Sequence, residues 1–214
     1  MATSNNHSRV INSAAKTTLR PLGFQQKGRS RVWFADRGYW ALIVEFQPSG
    51  FGKGSYLNIA ASWLWSPYEW RFDYMHRAGR FIRFESEDQF QTEVEGLAKL
   101  AASEAKNLDE KFGSLNKIAA HLNDEASDSR KRLNPWTLYH AAIVHGLVGD
   151  RKFSAAAFAD LLAQKAANDW HRAIQSESGT LVRQLEDQTV FDAAIRAKIA
   201  RTRSALKLLP LSDL

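Results

Sequence analysis

The chain contains no cysteine, which excludes disulfides, thiolate nucleophiles and every cysteine-based zinc site and fits a reducing compartment. It also lacks any apolar run near the roughly 18 residues of a membrane helix. The longest pieces are short, such as Ala41-Leu42-Ile43-Val44 and Ala141-Ala142-Ile143-Val144, so no bilayer span is expected. Met1 to Arg20 carries polar Thr, Ser, Asn and His where a secretory signal has its apolar core, and the expected location is the cytoplasm. None of the six histidines forms a ligand pair at helical i, i+3 or i+4 spacing, His140 and His145 being five apart. No metal or cofactor is expected. No Gly-x-Ser-x-Gly nucleophile elbow occurs, and Glu104, Asp109 and Glu110 lie among charges of both signs, as on a solvated helix face.

What is present is ordinary in amount and uneven in place. The 214 residues are 44% hydrophobic and 24% charged, enough for one large domain or two small ones. From Met1 to Ser86 there are 12 Lys and Arg against 5 Asp and Glu; from Glu87 onward there are 17 against 18. The net +6 is therefore a basic first segment, +7, joined to a balanced remainder. That first segment also holds 5 of the 7 Trp and 7 of the 12 Phe.

Apolar spacing predicts a helix over Val10 to Leu19, stopped by Pro21 and Gly23. Period-two alternation then predicts strands around Val32 to Phe34, Trp40 to Gln47, Leu57 to Trp65 and Arg80 to Phe84. Their short connections imply antiparallel pairing. From Glu87 the period becomes helical, with Phe90, Val94, Leu97, Ala101, Ala105, Leu108 and Phe112 in one stripe broken near Gly113. Phe46, Ile59 and Leu97 are expected core residues. Asn123 to Arg132 is polar without periodicity and reads as a linker. Asn134-Pro135 starts a helix to about Val148, Ser154 is a candidate cap for another reaching Trp170, and one or two more helices follow. The expected fold is α+β: an antiparallel sheet of about four strands packed on helices, residues 1–122, then a linker, 123–133, and an all-helical subdomain, 134–214.

Candidate binding residues come from the basic, aromatic segment. Lys27, Arg29 and Arg31 alternate, so in an extended strand they share a face with Trp33, a combination suited to phosphates and stacked bases. An edge strand guarded by charge explains the same pattern more simply. Gly50-Phe51-Gly52-Lys53-Gly54-Ser55 has the glycines and lysine of a phosphate loop but not its spacing, and a strand rather than a helix follows, so a hairpin loop is the better reading. Lys53 stays a candidate. Trp65, Tyr68 and Trp70, with Arg71 beside them, fall in an aromatic cluster with Trp63, Phe72 and Tyr74 that reads first as core and lid, but it is too dense for one strand face, so that some members are expected to line a groove.

Arg20-Pro21-Leu22-Gly23-Phe24-Gln25-Gln26-Lys27-Gly28-Arg29, Val44-Glu45-Phe46-Gln47-Pro48-Ser49 and Gly54-Ser55-Tyr56-Leu57-Asn58-Ile59 follow one another in an order that resembles the bacterial domain-of-unknown-function family catalogued as forty-three-oh-four. The resemblance covers residues 10–84. It implies an α+β domain with an antiparallel sheet and brings no catalytic residues. The first functional expectation is a non-enzymatic bacterial recognition module with a protein partner. The second is binding of nucleic acid or another acidic ligand by the basic sheet segment, and the third is a hydrolase or transferase with a dispersed site.

Overall fold

The computed structural model describes residues 6–68 and 71–211. Its contacts form two compact units, Met1–Trp63 with Trp70–Glu110 and Leu64–Glu69 with Lys111–Leu214. The fold is α+β, with a five-stranded antiparallel sheet followed by helices.

The first unit opens with α1, Asn6–Leu19, which buries Val10, Ile11, Ala14, Ala15 and Leu19, the predicted stripe. A 3-10 turn containing Pro21 follows, and Gly23 closes it at φ 83°, a left-handed conformation that glycine adopts without steric cost. The strands are β1 (Gln25–Gln26), β2 (Val32–Asp36), β3 (Trp40–Pro48), β4 (Gly54–Trp63) and β5 (Tyr74–Arg83), paired in chain order as a meander. In β3, Trp40, Leu42, Val44 and Phe46 stand opposite Trp63, Ala61, Ile59 and Leu57 of β4. All eight are buried. Two differences from the expected sheet occur at its edges. The two-residue β1 is too short to carry a periodicity, and β5 starts at Tyr74 rather than Arg80 because only Ala78 and Ile82 of this edge strand are buried.

Helix α2, Glu87–Phe112, buries Phe90, Val94, Leu97, Ala98, Ala101, Ala105 and Leu108. It is tied to the sheet unit by polar contacts as well: the Arg37 fork donates to both carboxylate oxygens of Asp109 at 2.5 and 2.8 Å, and His76 Nε2 lies 3.0 Å from Glu104 Oε2. Phe46 and Ile59 are wholly inaccessible and Leu97 nearly so, as their positions in the pattern predicted.

In the second unit Gly113 separates α2 from α3, Leu115–Ser127, whose first turn is capped by the Ser114 hydroxyl accepting from the Lys117 N–H. Helix α4, Pro135–Leu147, follows Asn134, whose side chain accepts from the Trp136 N–H. Helices α5 (Arg151–Ala163), α6 (Asp169–Gln184) and α7 (Gln188–Ala205) complete the unit. Every residue of α4 from Trp136 to Gly146 is buried, because α3, α5, α6 and α7 all pack on it. A helix apolar on all sides is a central helix.

The boundaries differ from those read in the sequence. Residues 123–127 are the last turns of α3 rather than linker, since Leu122 and Ala126 are buried while the polar positions between them face outward. Residues 131–133 form a 3-10 turn. The division between units falls at Glu110 and Lys111, not within 123–133. Ser154 does not cap α5; Asp150 does, accepting from the Phe153 N–H, and the buried Ser154 hydroxyl donates to the Ala142 carbonyl at 2.6 Å. Trp170 belongs to α6. Among the described residues, no helix is long and apolar enough to cross a membrane.

Candidate functional site

The meander brings three separate basic segments to one end of the sheet. Val32 at the start of β2 pairs with Glu45, Pro48 at the end of β3 with Ser55, and Gly54 at the start of β4 with Arg83 at the end of β5. The β1–β2 turn, the β3–β4 loop and the end of β5 therefore share that end, carrying Lys27, Arg29 and Arg31, then Lys53, then Arg83. With neighbouring strands about 4.8 Å apart, β2 to β5 spans about 14 Å.

Lys27, Arg29, Arg31 and Trp33 do not form the expected common face. The Lys27 N–H donates to the Val32 carbonyl at 2.9 Å, Ser30 donates back to the Lys27 carbonyl through its N–H and its hydroxyl, and Gly28 sits at φ 58°. This closed turn replaces the extended backbone that alternation needs, so the three cations guard no edge strand. Trp33 is fully buried, on β2 opposite Val44. It packs in the core and offers no stacking surface.

Arg31 and Lys53 are brought together, with two residues the sequence did not single out. The Arg31 Nη2 donates to the Ser8 hydroxyl of α1 at 2.7 Å, and its Nη1 is buried without a hydrogen-bond partner. His7 lies beside Phe84 and Phe90, at ring separations of 6.0 and 6.4 Å. Burial lowers its proton affinity first, and the charges of Arg31 and Lys53 lower it further. Burial likewise lowers that of Arg31. The Phe84 N–H donates to the Lys53 carbonyl at 3.0 Å, which holds the loop against the end of β5.

No carboxylate among the described residues pairs with Arg29, Arg31, Lys53 or Arg83. Glu85, Glu87 and Asp88 follow β5, but Glu87 already receives Arg9 and Asn6. Two residues before Lys53, Phe51 stands fully exposed at the tip of the glycine loop, where its N–H donates to the Ser49 hydroxyl at 3.1 Å. The arrangement attracts an anion and presents an aromatic ring beside it.

The other sequence candidates lie elsewhere. Trp65 is fully buried in the helical unit, its Nε1 donating to His140 Nδ1 at 3.2 Å. Tyr68 is exposed and meets Trp136 edge-on. Trp70 lies outside the described residues. Arg71 pairs at 2.8 Å with Asp73, whose carboxylate is completely buried and accepts the Trp63 N–H. An open depression of about 370 Å³ is lined by Leu133, Pro135, Ala167, Trp170 and His171, with Trp170 stacked at 5.4 Å on Trp136.

The structural place of Arg71 makes a prediction. Arg71→Ala should destabilise the sheet unit by about 2 to 3 kcal/mol, since a buried carboxylate loses its ion-pair partner. Urea unfolding measures this; an unchanged midpoint would return Arg71 to the list of free surface cations.

Among the described residues there is no group of three or more His, Asp or Glu placed to hold a metal ion. No family model, curated protein or solved structure matches the chain.

Proposed function

We propose that the protein is a non-enzymatic binding module that takes an anionic partner at the end of the sheet formed by the β1–β2 turn, the β3–β4 loop and the end of β5. The observation that carries this reading is that Arg29, Arg31, Lys53 and Arg83, from three chain segments, lie at one end of the sheet, with no carboxylate partner for any of them among the described residues. Like charges at one end of a sheet repel, and an anion lying along them relieves the repulsion while releasing its own counterions. This favours an acidic ligand over the uncharged protein surface that a general recognition module could equally use.

The reading is tested with a labelled heparin hexasaccharide, a polyanion without bases. Wild-type protein should bind it at about 50 mM salt and lose about an order of magnitude in affinity by about 200 mM. The triple variant Arg29→Ser, Lys53→Ser, Arg83→Ser should bind at least tenfold more weakly at low salt. Arg31 is left in place because its bond to Ser8 gives it a structural part. Equal binding by both proteins at both salt concentrations would overturn the proposal.

A further inference from the structure

We infer that the anionic partner is single-stranded nucleic acid, with Phe51 as a stacking platform for a base and Arg29, Lys53 and Arg83 on the flanking phosphates. The inference rests on the anionic-partner reading and adds the chemistry of the ligand. Two observations carry it. The first is that Phe51, the only large apolar side chain fully exposed to solvent among the described residues, lies two residues from Lys53, in a loop whose Gly50 and Gly52 have no atom within 4 Å of a would-be Cβ. An aromatic ring open on both sides beside cations is what a base and its phosphate engage together, because every base has a π-face and every linkage a charge.

The second is the charge distribution along the sheet end. The cations are spread over three strand connections rather than focused on one point, and an extended polyanion matches that spread better than a single phosphate group does. A lipid surface is a poorer match. Membrane attachment by apolar insertion needs more buried area than one phenyl ring supplies, since even a whole acyl chain binds only marginally alone. An acidic peptide would satisfy the cations and leave the ring without a partner. A rigid duplex has its bases already stacked and offers Phe51 only an end.

The test compares a labelled ten-nucleotide oligothymidylate with a fully abasic ten-mer, by fluorescence anisotropy at about 50 mM salt. Phe51→Ala should weaken binding of the oligothymidylate about 5- to 150-fold, the range of a lost base stack, and leave the abasic strand unchanged. Phe51→Trp should restore it. The triple variant at Arg29, Lys53 and Arg83 should weaken both ligands and flatten the salt slope by about 2, at roughly 0.7 per phosphate on a single strand. If Phe51→Ala binds the oligothymidylate as wild type does, while the triple variant loses it, the stacking inference fails and the anionic reading stands. Tighter binding to polyglutamate, or to vesicles containing phosphatidylserine, than to the oligothymidylate would overturn the inference in the same way. Failure of wild type to bind heparin and both strands would remove the two together.

Discussion

Phe46→Ala is expected to destabilise the sheet unit by about 3 to 5 kcal/mol, read as a lower urea midpoint with an unchanged slope. Phe46 is wholly inaccessible and sits near the end of β3, opposite Leu57 of β4. Its own N–H donates to the Arg31 carbonyl at 3.0 Å, so the backbone around it is fixed on both sides. Removing the ring leaves a void that neither strand can close without breaking that pairing. Phe51→Ala is the matched control. The same atoms are removed from a fully exposed site, where the expected change is within about 0.5 kcal/mol. Ile59→Ala and Leu97→Ala should fall between the two, toward the larger value. If Phe46→Ala and Phe51→Ala unfold at the same urea concentration, the packing described for β3 and β4 is wrong. The pair also separates stability from binding, because only Phe51 should matter to a nucleic acid.

The contrast between these two phenylalanines shows which parts of the molecule were legible in the chain. Phe46 belongs to an alternation, Trp40, Leu42, Val44 and Phe46, and α1 and α2 carry stripes at helical spacing. Each repeats often enough to fix the element and its buried face. Elements without repetition were not legible: β1 has two residues, and β5 from Tyr74 to Gly79 has one buried position, Ala78. The helical turns over 123–127 looked like linker because just two buried residues, Leu122 and Ala126, mark their inner side. The basic bias of the first 86 residues was visible as composition, but its placement depends on strand register. Lys53 and Arg83 are 30 positions apart and reach the same end of the sheet only because Gly54 pairs with Arg83. His7 and Ser8 carried no signal at all. Phe51 carried one, as an aromatic alone among turn residues, outside every alternation.

Gly54→Ala should also be strongly destabilising, by about 2 to 4 kcal/mol, while Gly52→Ala in the same loop should be neutral or gain a few tenths. Gly54 has φ 155°, and a Cβ built there would lie 2.2 Å from the Ile82 carbonyl oxygen and 2.5 Å from the Phe81 ring. The ring could turn aside, but the carbonyl belongs to the paired backbone of β5, so the first β4–β5 pair must open. Gly52 has open space where its Cβ would be, and alanine there chiefly narrows the unfolded ensemble. The glycines of Gly50-Phe51-Gly52-Lys53-Gly54 thus divide into two that free the tip and one that seats the loop on the sheet. Opening the Gly54–Arg83 pair also releases the Phe84 N–H from the Lys53 carbonyl, which separates Lys53 from Arg83. Gly54→Ala should therefore weaken heparin binding under conditions where the variant remains folded, and Gly52→Ala should not. Urea unfolding and anisotropy on the two variants measure both effects. Equal stability for the two would mean that β4 and β5 do not approach as closely as described, and the cation cluster at this end of the sheet would lose its geometric basis.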